Sequence, residues 1–342
     1  MPFKLHCQEL EIKSGVSNVE KVVLIGATNY GENCKIGKEL LERHGFRVIE
    51  NPYQRPLTKM EQKKYLSEIC AVSSGNEVWD REMISKAPNL KIISRFGVGY
   101  DNIDVEACQK AGITVATARG MNSDAVANMA VTMILALMKD LVFFDRTTRE
   151  GQWARKMGTD ITGKRIGLLG FGDIAQRVAK KLSGFDVEIF AYDTYPNQSR
   201  ACELNVTFVD IDTLLTTCDA VSCHLPSLPE TYHIINEDSF NKMKSSAVFV
   251  NTARGPIVDE RALYNALKNK TISRAAIDVY EQEPVSRDNP LLTLENIIVT
   301  PHTSAESFEA FERVGLNTAQ DIVNYFEGKN PHFSLTPNPF EE

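Results

Sequence analysis

The stretch 163–193, GKRIGLLGFGDIAQRVAKKLSGFDVEIFAYD, constrains the fold more than any other part of the sequence. Its apolar run at 165–169 has the length and composition of a strand that is buried on both faces. The glycine turn at 170–172 follows at once, and residues 174–183 carry apolar side chains at the four-residue spacing of an amphipathic helix. A second strand is predicted over 187–192. This order of elements predicts a βαβ unit with parallel strands.

The turn has the residue types of a dinucleotide-binding fingerprint. Gly170 permits a sharp strand-to-helix turn, and Gly172 lets the backbone approach a pyrophosphate. Asp173 and Ile174 open a helix whose free N–H groups and dipole favour phosphate. Asp193 stands 21 residues after Gly172, where a carboxylate can accept hydrogen bonds from the adenosine ribose. We expect a bound dinucleotide, the alternative being an ordinary βαβ turn. We expect NAD rather than NADP, because Asp193 would repel a 2′-phosphate and the next four residues include no Arg or Lys.

Length and composition narrow the class of protein. A chain of 342 residues can hold two domains, and 43% apolar with 24% charged residues is typical of a globular protein. The net charge of −7, without a dense basic stripe, argues against a nucleic-acid partner. The seven cysteines form no CxxC pair, so we expect neither a disulfide framework nor a metal site. This cysteine usage indicates a protein of the reducing cytoplasm. The longest apolar run, 129–138, is too short to span a bilayer.

Strand and helix patterns alternate along most of the chain, which predicts an α/β fold with two doubly wound parallel sheets. The first part resembles a flavodoxin-like domain, and the second, which holds the fingerprint, a Rossmann domain. Strands are expected in the first part at 21–27, 46–50, 69–73, 90–94 and 113–116, and in the second at 165–169, 187–192, 207–209, 220–223, 246–251, 274–279 and 297–300.

The predicted domains are a substrate domain at 1–119 and 303–342 and a dinucleotide-binding domain at 120–302. A long helical pattern at 122–140 is expected to cross from the first domain to the second, and the charged stretch 146–162 to connect them. Small ligands bind at the carboxyl ends of parallel strands. The loops that follow the strands therefore hold the candidate site.

Four of these loops carry chemistry: SRFGVGYDN at 94–102, NTARG at 251–255, DVYEQEP at 278–284 and PH at 301–302. The order Arg254, Glu283, His302 after a dinucleotide fingerprint resembles the NAD-dependent D-2-hydroxyacid dehydrogenases. The resemblance extends from about residue 66 to 327. Within that family, the run SRFGVGYDNID is similar to members described as phosphoglycerate dehydrogenases.

The chemistry of these three side chains agrees with the roles that the resemblance implies. Arg254 offers a planar charged fork that can grip a carboxylate and polarise a neighbouring carbonyl. His302 can give a proton to the nascent alkoxide or remove it in the oxidative direction. Glu283 can orient the imidazole and stabilise its cationic form. Taken singly, each has an ordinary alternative, as a surface arginine, a turn residue and a loop histidine.

Other residues acquire roles from the resemblance alone. Val98 and Gly99 correspond to the loop that cradles the substrate carboxylate, with a plain glycine turn as the alternative. Asp278 corresponds to the acid that accepts from the nicotinamide carboxamide. Thr252 and Leu225 correspond to positions that line the cofactor.

The sequence also departs from the family pattern. Ser304 stands where Gly is frequent, and residues 71–75 lack an Arg that some phosphoglycerate-specific members have there. Arg95 could meet a second negative group on a substrate or be a structural arginine. The substrate therefore stays open between 3-phosphoglycerate and a non-phosphorylated short acid of the glyoxylate, hydroxypyruvate or lactate type.

Two other functions remain as alternatives. A dinucleotide-sensing, corepressor-like binding protein of this fold family would keep the same three residues. Formate oxidation is disfavoured, because Gln typically replaces the acid at Glu283 there. The resemblance also implies a homodimer, with the apolar helix 125–138 as a candidate interface.

Overall fold

The computed structural model describes residues 20–340, so residues 1–19 and 341–342 of the predicted substrate domain lie outside the described residues. The chain divides into two compact units, each described by itself. Within the described residues, unit 1 comprises 20–95, 101–116 and 318–340, and unit 2 comprises 96–100 and 117–317.

Unit 1 is built on a five-stranded sheet with helices between the strands. Its strands are β1 (Lys21–Ile25), β2 (Phe46–Glu50), β3 (Ala71–Ser74), β4 (Ile92–Arg95) and β5 (Thr114–Thr117). Its helices in this part of the chain are α1 (Tyr30–Asn33), α2 (Lys35–Arg43), α3 (Lys59–Gln62), α4 (Arg81–Ser85) and α5 (Val105–Lys110). The strand order, which the sequence did not predict, is β2-β1-β3-β4-β5, as in flavodoxin-like sheets. The predicted flavodoxin-like class is confirmed.

The core of unit 1 lies on the strands and the helices beside them. Every side chain of β3 is buried, including two serines, because helices cover a parallel sheet on both faces. Leu24, Val72 and Ile93 of the sheet belong to the same apolar cluster as Trp79 and Met83. The burial of these side chains stabilises the sheet, and the sheet positions the loops of unit 1.

Unit 2 contains a larger, seven-stranded sheet. Its strands are β6 (Arg165–Leu169), β7 (Glu188–Tyr192), β8 (Val206–Phe208), β9 (Ala220–Cys223), β10 (Val248–Asn251), β11 (Arg274–Ile277) and β12 (Ile297–Val299). The helices after α5 are α6 (Ser123–Met138), α7 (Leu141–Arg149), α8 (Asp173–Leu182), α9 (Gln198–Glu203), α10 (Ile211–Thr217), α11 (Glu237–Lys242), α12 (Glu260–Lys268) and α13 (Phe308–Phe326). Short 3-10 turns occur at Ser183–Phe185, Pro229–Thr231, Gly255–Ile257 and Pro290–Thr293.

The order of this sheet is β12-β11-β10-β9-β6-β7-β8. Counted from β6, it is the Rossmann arrangement with one further strand, and the chain reverses direction across the sheet between β6 and β9. Both pairs that β6 forms, with β7 and with β9, are parallel. The predicted doubly wound fold is confirmed, and the carboxyl ends of β6 and β9 mark the point where such sheets bind ligands.

The long helix α6 differs from its prediction. It lies wholly within unit 2 and does not cross between the units. Its apolar side chains, such as Ala130 and Ile134, join the core that also holds Val178 and Leu182 of α8. The face proposed as a dimer interface is thus largely used inside the unit. The predicted connector 146–162 begins in α7 and carries neither helix nor strand from 150 onwards.

The division into units differs in detail from the predicted domain ranges. The predicted boundaries at 119/120 and 302/303 compare with 116/117 and 317/318 in the structure. Residues 96–100, expected in the substrate domain, group with unit 2. The second boundary falls within α13, because a helix continues past the loop at which sequence reasoning placed the change.

The described residues also bear on two classes of protein that the composition addressed. No single helix within residues 20–340 is long and apolar enough to cross a membrane. The helices α6 and α7 have the required length and composition only when they are taken together, and they meet at a bend of 66°. In the same range, no three His, Cys, Asp or Glu side chains are grouped so that they could hold a metal ion.

Candidate active site

Three neighbouring strands of unit 2 end at the same edge of the sheet. The last residues of β10 and β11, Asn251 and Ile277, are paired, and Ile277 is paired in turn with Val299 of β12. Arg254, Glu283 and His302 lie in the loops that follow these three strands. The parallel topology therefore brings together three residues that are far apart in sequence.

His302 and Glu283 form a direct pair. The Nδ1 atom of His302 lies 2.7 Å from Oε2 of Glu283, and the side chains are 43% and 36% exposed. The other carboxylate oxygen of Glu283 accepts a hydrogen bond of 3.0 Å from the backbone N–H of Tyr280. The carboxylate is thus oriented on one side by its own loop and holds the imidazole on the other, which leaves Nε2 of His302 for a substrate.

The charge of Glu283 is maintained by its surroundings. Burial raises the pKa of this carboxyl, but the hydrogen bond and charge of His302, the Tyr280 N–H and the charge of Arg254 together bring the pKa below its usual value. A carboxyl whose pKa is lowered on folding stabilises the folded protein at pH values above its unfolded-state pKa. This contribution is lost as the pH falls through the folded-state pKa. Because the backbone of Gly255, next to Arg254, meets that of Tyr280 in the Glu283 loop, the structure brings the three predicted catalytic loops together.

The loop that carries His302 is held by one buried carboxylate. Asp278 is fully buried, and its Oδ1 accepts from the Thr300 hydroxyl at 2.6 Å and from the Thr303 N–H at 2.9 Å. Its Oδ2 accepts from the Ser304 N–H at 2.8 Å. These bonds position the acid/base loop, a role that sequence reasoning missed. The contact of Asp278 with a nicotinamide carboxamide stays a prediction.

The Arg254 loop is fixed by its main chain. The amide of Asn251 donates to the Arg254 carbonyl at 3.0 Å and accepts from the Ala253 N–H at 3.0 Å. A Cβ added at Gly255 would lie only 1.9 Å from the backbone carbon of Tyr280, so no other residue fits there. The Arg254 loop is therefore in backbone contact with the loop of Glu283. Nη1 of Arg254 donates to the Ala253 carbonyl at 2.7 Å.

The glycine turn after β6 has the geometry that a dinucleotide requires. Gly170 has a φ of 89°, and a Cβ there would lie 2.8 Å from the backbone oxygen of His224. A Cβ at Gly172 would meet nothing within 4 Å, so the backbone there is open to a ligand. Asp193, at the end of β7, accepts from the Phe171 N–H of the turn at 2.7 Å. The structure brings the predicted ribose acid beside the glycine turn.

The helix after the turn, α8, begins at Asp173. Among the described side chains none caps this end of α8, so its first N–H groups are left for solvent or a ligand. The Asp173 carboxylate accepts from Arg177 one turn on, at 3.2 Å. Ile174 packs against the apolar cluster of unit 2, so its side chain serves the core, and only its backbone N–H is suited to a phosphate.

Buried polar atoms without partners provide a test of whether the site fits NAD. Within the described part of the chain, Thr252 Oγ1, Ser304 Oγ and His224 Nε2 are buried and accept or donate no hydrogen bond. Buried polar atoms normally have hydrogen-bond partners. These three atoms lie just after β9, β10 and β12, and a polar ligand bound at this edge of the sheet would supply the missing partners. Leu225, buried beside His224, adds an apolar wall. Burial lowers the pKa of His224 to about 4, which keeps it neutral. The residues fit the cofactor.

The predicted carboxylate cradle lies in the segment of unit 2 at 96–100. Val98 is 38% exposed, and Gly97 before it has a φ of 142°. The Gly97 carbonyl accepts from the Ala118 N–H at 3.0 Å, and the ring of Phe96 lies 4.7 Å from that of Phe311. The two residues that precede Val98 anchor this loop. The binding of a substrate carboxylate by Val98 and Gly99 stays a prediction.

Sequence comparison identifies the family. Residues 131–304 match the model of the D-isomer-specific 2-hydroxyacid dehydrogenase NAD-binding domain, which is half of the chain. The chain belongs to the D-2-hydroxyacid dehydrogenases. The resemblance stated from the motifs is confirmed, and unit 2 contains the NAD-binding domain. The predicted class, NAD-dependent oxidoreductases acting on CH–OH donors, is confirmed at the level of this family.

Individual D-2-hydroxyacid dehydrogenases differ in substrate. D-3-phosphoglycerate dehydrogenase of Archaeoglobus fulgidus is 41% identical over 85% of this chain, which spans only 55% of that protein. Glyoxylate reductase of Korarchaeum cryptofilum is 36% identical over 86% of this chain and 93% of its own length. The apo structure of D-lactate dehydrogenase from Escherichia coli matches 92% of this chain and all of its own with a TM-score of 0.82 at 29% identity.

We expect the enzyme to prefer NADH to NADPH by at least about tenfold in kcat/KM, which corresponds to about 1.4 kcal/mol. Asp193 would repel a 2′-phosphate, and Arg200, the nearest following cation, is engaged with Gln176 and Glu203. The measurement compares kcat/KM for the two cofactors in the wild type and in Asp193→Asn, where the preference should shrink. Equal use of both cofactors by the wild type would contradict the prediction.

Proposed function

We propose that this chain interconverts a short, non-phosphorylated D-2-hydroxy acid and its 2-oxo acid, of the glyoxylate or hydroxypyruvate type, with NAD(H). The observation that carries the reaction class is the 2.7 Å pair of His302 and Glu283, with Arg254 acting on the same carboxylate. Bound NAD supplies or accepts the hydride.

The residues of the chain do the rest of the chemistry in this proposal. Arg254 binds the substrate carboxylate through paired charge-assisted hydrogen bonds and draws electron density from the 2-oxo group. His302, protonated at Nε2, gives that proton to the carbonyl oxygen during reduction and takes it back during oxidation. Glu283 holds the ring and offsets its positive charge. Val98 and Gly99 supply backbone N–H groups to the carboxylate.

Two positions in unit 1 argue against a phosphate on the substrate. Ser73 and Ser74, which stand where some phosphoglycerate-specific members have an Arg, are fully buried. The Ser73 hydroxyl donates to that of Thr318 at 2.9 Å. Neutral, buried and internally bonded side chains offer a phosphate far less than a guanidinium does.

Arg95 is the other cation that could have met a second negative group. Its Nη2 donates to the side-chain oxygen of Asn76 at 2.7 Å, and its Nη1 to the Ser74 carbonyl at 3.3 Å. Its charge also acts on the buried Glu77. These contacts favour the structural interpretation of Arg95.

The second candidate is oxidation of 3-phosphoglycerate. It is favoured by the identity with the Archaeoglobus enzyme and by the run SRFGVGYDNID. The same identity covers only about half of that protein, and the neutral positions at 73 and 74 weigh against it.

Steady-state kinetics with NADH decide between the two. We expect glyoxylate or hydroxypyruvate to be reduced with a kcat/KM that phosphohydroxypyruvate does not exceed by tenfold, about 1.4 kcal/mol. A larger advantage for the phosphorylated acid would establish the second candidate. NADH binding without turnover of any 2-oxo acid in the panel would instead favour the corepressor-like binding protein.

The proposal includes three further expectations, of which the cytoplasmic location comes from the cysteine usage and the homodimer from the family resemblance. The range 1–119 with 303–342 would serve the substrate, the enzyme would act as a homodimer, and it would work in the cytoplasm. Because α6 buries its apolar side chains within unit 2, the dimer would need another surface than the one first expected.

A further inference from the structure

The loop that follows β3 holds both ends of the segment that carries the predicted carboxylate cradle. This segment, 96–101, joins Arg95 to Asn102 along the chain. Nη2 of Arg95 donates to the side-chain oxygen of Asn76 at 2.7 Å, and Nδ2 of Asn102 donates to the Glu77 carbonyl at 2.6 Å. Both ends of the segment are therefore bonded to neighbouring residues of one loop.

Asn102 is bonded to this loop through both its side chain and its main chain. Its Nδ2 also donates to the Gly75 carbonyl at 3.2 Å, and its own carbonyl accepts from the Trp79 N–H at 2.8 Å. The Trp79 carbonyl in turn accepts from the Asp104 N–H at 2.9 Å. The end of the cradle segment at Asn102 is thus fixed on both of its sides.

The loop that binds Asn102 is held in place by a buried carboxylate. Glu77 is 1% exposed, and its Oε1 accepts from the Gly75 N–H at 3.1 Å and from the Trp79 indole N–H at 3.3 Å. A Cβ added at Gly26, which follows β1, would lie 2.2 Å from the same oxygen. Because this loop is bonded internally and packed against the end of β1, it gives Asn102 a fixed anchor.

We propose that Asn102 is a positioning residue for substrate binding, because its bonds to Gly75 and Glu77 fix the segment whose backbone N–H groups receive the substrate carboxylate. This inference rests on the proposed function and assigns to it a residue outside the catalytic loops. A segment that is ordered before the substrate arrives does not pay for its ordering on binding. The carboxylate is bound in the ground state and in the transition state alike, so loss of this order raises KM more than it lowers kcat.

The test compares Asn102→Ala with the nearly isosteric Asn102→Asp. Alanine removes both donated bonds, and aspartate places an acceptor opposite the two carbonyls that the amide had served. We expect Asn102→Ala to raise KM for glyoxylate and for pyruvate by one common factor of about tenfold, with kcat changed by less than about threefold. Asn102→Asp should raise KM further. The dissociation constant of NADH, followed by its fluorescence, should stay at the wild-type value in both variants.

Asn296→Ala is the matched control. The amide of Asn296 also donates to two backbone carbonyls, those of Leu267 and Ser273, both at 3.1 Å. Asn296 precedes β12, so it lies at the opposite end of the sheet from the catalytic loops. Its replacement should lower thermal stability and leave KM unchanged. If the Asn102 variants behave like this control, or lose kcat or NADH affinity by the same factor as KM rises, the inference is overturned.

Titration of oxamate into the NADH-saturated enzyme tests the segment without turnover. Oxamate has the carboxylate and shape of pyruvate but is not reduced, and it should bind Asn102→Ala about tenfold more weakly than the wild type. Equal binding of oxamate to the wild type and both variants would overturn the inference on Asn102. The proposed function fails separately, when the wild type reduces no short 2-oxo acid with NADH. An absence of oxamate binding to the wild type would count against both.

Discussion

Replacing His302 by asparagine should lower kcat for 2-oxo acid reduction by about 10²- to 10⁴-fold, the usual contribution of a general acid–base group. Asparagine is the appropriate substitution because His302 has a φ of 56°, in the left-handed region that Asn tolerates and that costs most other residues about 1–2 kcal/mol. The change thus removes the proton donor while keeping the backbone. Single-turnover and steady-state rates with NADH provide the measurement.

Two readouts separate the lost proton transfer from a disturbed loop. Cofactor affinity, followed by fluorescence of NADH, should be nearly unchanged in His302→Asn.

Glu283→Gln should move the high-pH limit of reduction to lower pH, because the negative charge that stabilises the imidazolium is gone. A pH profile identical to that of the wild type would show that the 2.7 Å pair has no role in proton transfer.

The second large effect is expected at Arg254. Arg254→Lys should reduce kcat/KM by about 10- to 150-fold, because an ammonium cannot form two parallel bonds to a carboxylate and a lost bond of this kind costs about 1.5–3 kcal/mol. The loop itself should persist, since Asn251 bonds its main chain rather than the guanidinium.

Arg261→Lys, on the exposed side of the nearby helix α12, is the matched control and should have wild-type kinetics. Near-normal kinetics in Arg254→Lys would place the substrate anchor elsewhere. A fall in thermal stability equal to that of a core substitution would point to a structural role for Arg254 in place of substrate binding.

Strands were predictable from the sequence where their burial is continuous. The ranges of β9 and β6 were predicted to the residue, because each is a largely buried apolar run. The range of β2 was also predicted to the residue, although Phe46 is the only buried side chain of that strand. The helices α9 to α12 were not predicted. The first three have only six or seven residues, and polar side chains separate the apolar residues of all four. The sequence did not show that α6 lies wholly in unit 2, because an apolar helix can pack into the core of either unit.

The candidate site shows the same limit. The pattern of Arg254, Glu283 and His302 was recognisable because the order of these residues after a dinucleotide fingerprint resembles that of a known family. The anchoring role of Asp278 could not be predicted, since its partners at 300, 303 and 304 become neighbours only when the loop folds back.

The backbone contact between Gly255 and Tyr280 has a consequence for how such an enzyme can change. Two main chains meet there without intervening side chains. The spacing between the Arg254 loop and the Glu283 loop is therefore insensitive to most nearby substitutions. The residues after His302 are tied to Asp278 through their backbone, so their side chains can vary. Evolution or a directed library can therefore retune which acid is accepted while the reaction geometry is inherited intact.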